Sequence, residues 1–335
     1  MSDSAISTSD SPAGWGRCLV AFLATLGVLA SLLWAFLIAV DPYDSGKFGF
    51  LAIDGVDDRN TTTATASRAR DPHFDSAVIG NSTALLLNPS PLSEATGLRF
   101  VQLSVVGGSP AEEMTVLDFF LRHHAHVGAL VFVTDPSWCV HEREKPRPFP
   151  YWLYDTSLPG YAGRLWSGAA IEHAFQRVAI GLGLRKRIDP TGTFNSEDVW
   201  PAGQFFEKNY PADPPAVDDA AIRNLFPEAS KLDEMIRKLP AEVPVVILVP
   251  PTFASTVPQP GSGLARERQA CNDALRKIVA GRPQSNFISY RIDNALTRDR
   301  ANFVDFIHYR PLIATKISEG IAASIRQGKA AKIDF

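Results

Sequence analysis

Cysteine, methionine and any surplus of one charge are what this sequence has least of. Three cysteines in 335 residues cannot supply a disulfide framework or a Cys-rich zinc module. Thirty-three Lys and Arg stand against 36 Asp and Glu, a formal net charge of -3, which excludes a nucleic-acid binder held by bulk charge. No internal repeat occurs, and a charged content of 21% with 45% apolar residues excludes disorder over the whole length. A chain this long buries a full core without staples.

What is present begins with one apolar run. Cys18 to Val40 is 23 residues without a charge, spanning roughly 34 Å as a helix against a hydrocarbon core of about 30 Å. It is too long for the apolar region of a cleaved signal peptide and lacks a clean cleavage site. A transmembrane helix over 18–40 in contact with the lipid bilayer is expected. Arg17 stands before it and Asp41 and Asp44 after it, so the positive-inside rule predicts a cytoplasmic tail at 1–17 and an exported body, outside the cytoplasm or in the periplasm. Residues 41–73, polar, Thr-rich and without apolar periodicity, read as a tether.

From Phe74 onward short β-branched runs alternate with helical patterns. Strands are predicted at Asp75–Ile79, Arg99–Val105, Ala129–Thr134, Val243–Val249 and Asn286–Ile292, and helices at Ala111–Ala125, Val217–Lys238, Gly263–Ala280 and Pro311–Ile325. That order predicts an α/β, flavodoxin-like doubly wound parallel sheet of about five strands over 74–335, with a long insertion at 136–215 after the third strand.

In such a sheet ligands bind beyond the carboxyl ends of the strands. Gly80-Asn81-Ser82 follows the first strand. Ser82 at a strand-to-helix turn has an exposed hydroxyl beside backbone N–H groups, although Asn81 or Ser82 can equally serve as a helix cap. After the fifth strand comes Asp305-Phe306-Ile307-His308. The three-residue offset lets the carboxylate hold one ring nitrogen while the other faces outward. That is the orienting half of a Ser-His-Asp triad, with His308 taking the Ser82 proton.

On these residues the chain resembles the SGNH (GDSL-like) hydrolase superfamily over about 74–327, and within it the membrane-anchored branch that includes proteins of alginate O-acetylation and teichoic-acid D-alanylation. Gly80-Asn81-Ser82 matches the first block with Asn for Asp, and Gly107 in LSVVGGSP the second. The third block, G-x-N-D, is missing; Val133-Thr134-Asp135-Pro136-Ser137 stands there. Asp305 and His308 match the fourth. The resemblance implies an esterase or O-acyltransferase acting on acyl groups of cell-surface polysaccharide, needing no cofactor and no metal. It implies an oxyanion hole from the Ser82 and Gly107 amides, and a membrane-bound acyltransferase as partner. Asn81, Asp135 and Trp138 are candidate substrate contacts. An ionised Asp135 facing the oxyanion would repel it, so a non-catalytic glycan-binding or assembly subunit on the same scaffold is the competing expectation.

Three further features carry alternatives. His123-His124-Ala125-His126 suggests metal, but adjacent helical histidines diverge, and cations stabilised by a helix C-terminus account for them better. Cys139 and Cys271 are expected as partly buried free thiols, with a disulfide as the alternative; Cys18 lies in the span. The insertion holds Trp138, Trp152, Trp166 and Trp200 with Tyr151, Tyr154 and Tyr161, among Arg143, Lys145, Arg147, Arg164 and Arg185-Lys186-Arg187. It reads either as a lid over a glycan groove or as a loop with its own small core. Ile171 to Leu184 is spaced as an amphipathic helix able to touch a membrane surface.

Overall fold

The computed structural model describes residues 12–48, 50–57, 61–139, 148–207 and 226–328. Five parallel strands, β1 (Ser76–Gly80), β2 (Phe100–Ser104), β3 (Ala129–Val133), β4 (Val245–Val249) and β5 (Asn286–Ser289), form one sheet in the order 2-1-3-4-5. The register pairs Ile79 with Leu103 on one side and Phe132 on the other.

Period-two alternation sends each strand's side chains to two separate cores. Ala77, Ile79, Val101, Leu103, Leu130, Phe132, Val245 and Ile247 lie in one core. There they meet α2 (Thr61–Arg70), α4 (Pro110–His123), α8 (Pro227–Ile236) and α9 (Gly263–Val279). Val78, Phe100, Val131, Val133, Val246 and Leu248 face the other core, with α3 (Pro89–Thr96) and, after the single turn α10 (Ala295–Arg298), α11 (Pro311–Gln327). Ile313, Ile317 and Ile321 of α11 are fully buried there, each contributing about 1.5–3 kcal/mol of apolar transfer. The four long predicted helices correspond to α4, α8, α9 and α11, except that 217–225 of the second lies outside the described residues, as do Arg143, Lys145, Arg147 and residues 1–11.

Before the sheet stands α1 (Pro12–Val40), without a charge from Cys18 to Val40 and long enough to cross a membrane. Leu19, Phe22, Leu26, Leu29 and Leu32 stand exposed along it. Its last turns are different, since Leu37 and Val40 are buried against the body.

The stretch 41–73, expected as a tether, differs from that expectation by containing α2, docked against β2 and α4. Its buried side chains are Ala64, Thr65, Ala66, Ser67, Arg68 and Ala69. A helix that approaches a sheet through small and polar residues leaves no apolar period to read. The unpredicted α3 had a visible signature: Asn88 accepts from the Ser90 N–H at 3.0 Å, Pro89 opens the helix and Gly97 closes it at φ 76°.

The insertion contains α5 (Tyr151–Tyr154), α6 (Leu158–Arg164) and α7 (Gly168–Gly181). Its first half extends the main core instead of forming one of its own, because Trp138, Tyr154, Tyr161 and Leu165 are buried with Tyr43 in the α2/α4 core. One buried side chain joins it to α1. The Arg177 guanidinium donates to the Val40, Asp41 and Ile53 carbonyls, to Gly55 O at 3.1 Å and to Asp44 Oδ1 at 2.8 Å. It thereby caps carbonyls that a helix end leaves orphaned and opposes the negative end of the helix dipole. Arg70 and Ser67 complete the shell around Asp44. Asp41 accepts from Tyr161 Oη, Ser45 Oγ and the Gly46 N–H.

The second half of the insertion runs back along β2, whose Gln102 N–H donates to Thr191 O at 2.8 Å and so leaves that edge covered. Cys139, just past β3, and Cys271 of α9 are joined in a disulfide, with Cα atoms 5.5 Å apart. This corrects the expectation of free thiols: residues 132 positions apart in sequence are brought together only by packing α9 beside the exit of β3. Such a bond persists in an oxidising compartment. Cys18 is free and exposed on α1.

Candidate active site

Strand order reverses at β1, which lies between β2 and β3, so the chain leaving β1 enters the crevice where such sheets bind ligands. Gly80 ends β1, and its backbone is held so close to β3 that a Cβ there would meet Val133 O at 2.6 Å and Ala84 Cβ at 2.8 Å. Only glycine fits. The chain then turns, and the Asn81 carboxamide accepts from the Thr83 N–H and the Thr83 hydroxyl, both at 3.0 Å. Asn81 therefore closes an Asx turn ahead of the helical turn Ala84–Leu86, and the hydroxyl of half-buried Ser82 is left for another partner.

That partner comes from the far end of the chain. His308 Nε2 lies 2.8 Å from Ser82 Oγ, and His308 Nδ1 lies 2.9 Å from Asp305 Oδ2 and 3.0 Å from Oδ1. Asp305 is buried, and its Oδ1 also accepts the N–H groups of Ile307 at 3.0 Å and His308 at 2.9 Å. A carboxylate so fixed holds the proton on Nδ1 and leaves Nε2 to accept from Ser82. The loop is locked to the first turn by Tyr309, whose buried hydroxyl donates to Thr83 O at 2.7 Å; burial raises the pKa of this phenol, which stays neutral.

Gly107 lies in the turn after β2 at φ 62°, in the left-handed region that favours glycine. That turn is tied to β1, since the Val105 N–H donates to Gly80 O at 2.9 Å. Among the described residues, the N–H groups of Ser82 and Gly107 donate to no backbone carbonyl.

No family model matches this chain, and no curated protein sequence does.

The three candidate substrate contacts are occupied elsewhere. Asp135 accepts from the Ser137 N–H at 2.8 Å, from the Ser137 hydroxyl and from Asn81 Nδ2. Its charge is thus met by three local donors rather than aimed at the reacting centre. Asn81, buried, spends its amide on Asp135 and its carbonyl oxygen on Thr83. Trp138 corrects its expectation most clearly: it is buried against Phe132 and its indole N–H donates to Glu113 Oε2 at 3.1 Å, so no ligand reaches its face.

The histidine run is corrected too. His123 Nδ1 meets Phe119 O at 2.8 Å and His124 Nε2 meets Ala69 O at 2.9 Å. Burial pushes both pKa values below the ordinary imidazole value, so these are neutral rings and not the expected helix-end cations.

One aromatic of the insertion does reach the site. Trp200 lies nearly parallel to the His308 ring, with centroids 6.1 Å apart. Arg310 holds this segment by donating to Trp200 O at 3.2 Å and Pro201 O at 3.0 Å, and the Phe206 N–H donates to Val304 O at 2.7 Å. Sequence spacing gives no hint of this pairing, because Trp200 is one of four insertion tryptophans. The nearest signal is Arg310, a buried cation two residues after His308 that needs carbonyl partners.

Proposed function

We propose that this chain is a membrane-anchored, exported serine esterase or O-acyltransferase of the SGNH type, acting on acyl esters of cell-surface polysaccharide. The observation that carries the reading is the continuous chain of hydrogen bonds from Ser82 Oγ through His308 to Asp305. Ser82 Oγ attacks the acyl carbonyl while its proton passes to His308 Nε2, and Asp305 stabilises the imidazolium through Nδ1–H. The carbonyl oxygen, now an oxyanion, takes the Ser82 and Gly107 N–H groups. As the tetrahedral intermediate collapses, His308 returns the proton to the departing alcohol oxygen. Water or a second hydroxyl then attacks the acyl-serine by the same route in reverse. Hydrolysis and transfer differ only in that acceptor.

Export is supported by the apolar helix α1 and by the Cys139–Cys271 disulfide. An anchored body suits a polymer assembled at the membrane, with a membrane-bound acyltransferase as acyl source. Trp200 beside His308 offers an aromatic wall to a sugar ring. The competing reading, a glycan-binding or assembly subunit, draws on the Asn81–Asp135 pair, which leaves the oxyanion two backbone donors and no side chain.

The test is hydrolysis of 4-nitrophenyl acetate and of an acetylated glycan by the full chain, beside Ser82→Ala. Loss of about 10⁴-fold or more in kcat is expected for the variant. Equal rates would remove Ser82 from the chemistry and leave the binding subunit standing.

A further inference from the structure

The last turns of α1 do not stand alone. Phe175 of α7 packs on Phe36 of α1 with ring centroids 5.4 Å apart, and the Leu51 N–H donates to Ala39 O at 3.2 Å. Phe36 precedes Val40 by four residues, which places it about 6 Å inside the end of the apolar helix. Whatever covers the bare side chains of α1 up to the level of Phe36 therefore also reaches Phe175 and the segment around Leu51.

That region is bare and apolar. Phe175 is 61% exposed, Leu182 69%, Leu184 78% and Phe50 79%. Along α7, Ile171, Phe175 and Val178, with Leu182 just past its end, follow helical spacing; Phe175 and Leu182 are bare, Ile171 and Val178 pack partly against the body, and Ala170, Ala174 and Arg177 are buried in it. Directly after these residues stand Arg185, Lys186 and Arg187, all exposed; Asp57 pairs with Arg185, and Glu172 is the exposed acid on α7. Large apolar side chains followed by cations match the boundary between acyl chains and anionic headgroups.

We infer that α7, with residues 50–53 and 182–187, is a second membrane contact, lying in the plane of the leaflet from which α1 emerges. It rests on the reading of α1 as a membrane anchor. Continuity with α1 selects lipid as the occupant, since the patch begins where the helix's lipid-facing surface ends. Because Arg177 binds α7 to the end of α1, the two contacts are parts of one body, which is held at a fixed height instead of swinging on a stalk.

The experiment uses the full chain with Cys18→Ser, in vesicles of phosphatidylcholine with and without phosphatidylglycerol. An environment-sensitive fluorophore is placed on one added cysteine: Leu26→Cys in α1, Leu184→Cys in the patch, or Glu197→Cys on the exposed insertion as reference. Lipids spin-labelled deep or shallow in the acyl chain are the quenchers. Expected are deep quenching at 26 and shallow quenching at 184 at least about twofold above that at 197, stronger with phosphatidylglycerol. Adding Phe175→Ser and Leu182→Ser, both at exposed positions, should abolish quenching at 184 and leave 26 unchanged. Quenching at 26 with none above reference at 184 overturns the second contact and keeps the anchor. No quenching at 26 removes the anchor itself, and this inference with it. A blue-shifted but unquenched label at 184 means that protein covers the patch, which also overturns it. Quenching at 184 that survives the double serine variant assigns the contact to other residues and does the same.

Discussion

Two polar networks in this molecule are built to opposite specifications. Around Asp44, every strong group is taken: Arg177 meets carbonyls from Val40, Asp41, Ile53 and Gly55, and Asp44 meets Arg177, Arg70, Ser67 and the Gly55 N–H. Burial still raises the Asp44 pKa against the pull of Arg177 and Arg70. At the other network the chain of bonds ends at the half-buried Ser82 hydroxyl, and among the described residues the Ser82 N–H, like that of Gly107, donates to no backbone carbonyl. A closed network of buried charge holds segments together, whereas one with valences left over can accept a substrate. Both contain ionised side chains, and counting charges would not tell them apart.

Asp305→Asn is the sharpest test of the open network. The carboxamide oxygen can still accept the Ile307 and His308 N–H groups, but its NH₂ favours the wrong imidazole tautomer. Ester turnover should fall by about 10³ to 10⁴-fold with the unfolding midpoint near that of the wild type. A fall in midpoint with unchanged kcat would make Asp305 a structural anchor like Asp44. Arg177→Met should behave in the reverse way, losing about 3–5 kcal/mol of stability because Asp44 stays buried without its most deeply buried cation. At temperatures where the variant is folded, kcat per folded molecule should be retained; denaturant unfolding alongside active-site titration measures both. The smallest effect belongs to His123 and His124. Their folded pKa values lie below the unfolded value of about 6.5, so the unfolded chain binds more protons as pH drops past it. Stability is therefore full above that value and falls on acidification below it. His124→Gln should flatten the acid limb of a midpoint-against-pH curve; an unaltered limb would mean the ring is already charged.

The sheet was legible because parallel strands covered on both faces are written as unbroken β-branched runs, such as Val245 to Val249, closed off by turn residues. Ser82 was legible for a related reason, since it sits just after a strand run, and Asp305 and His308 because D-x-x-H is a local motif. What escaped was whatever depends on distant packing. α2 is buried through alanine and threonine, which write no period. The disulfide joins residues 132 positions apart. Trp138 and Trp200 belong to the same aromatic composition, yet one is sealed against Phe132 and the other faces His308. Composition says that a long loop must be filled, and it is silent on which ring does the filling.

Arg177 also sets where the body can be separated from its helix. A soluble version begun at Asp41, the natural cut by hydropathy, would remove Leu37 and Val40 from the core and take away one carbonyl that Arg177 binds. The released protein would carry a fresh apolar scar beside a partly unsatisfied guanidinium. Retaining Leu33 to Val40 keeps Leu33, Phe36, Leu37 and Ile38 on their partners, so the boundary useful for a secreted or crystallisable fragment lies two turns inside the apolar segment.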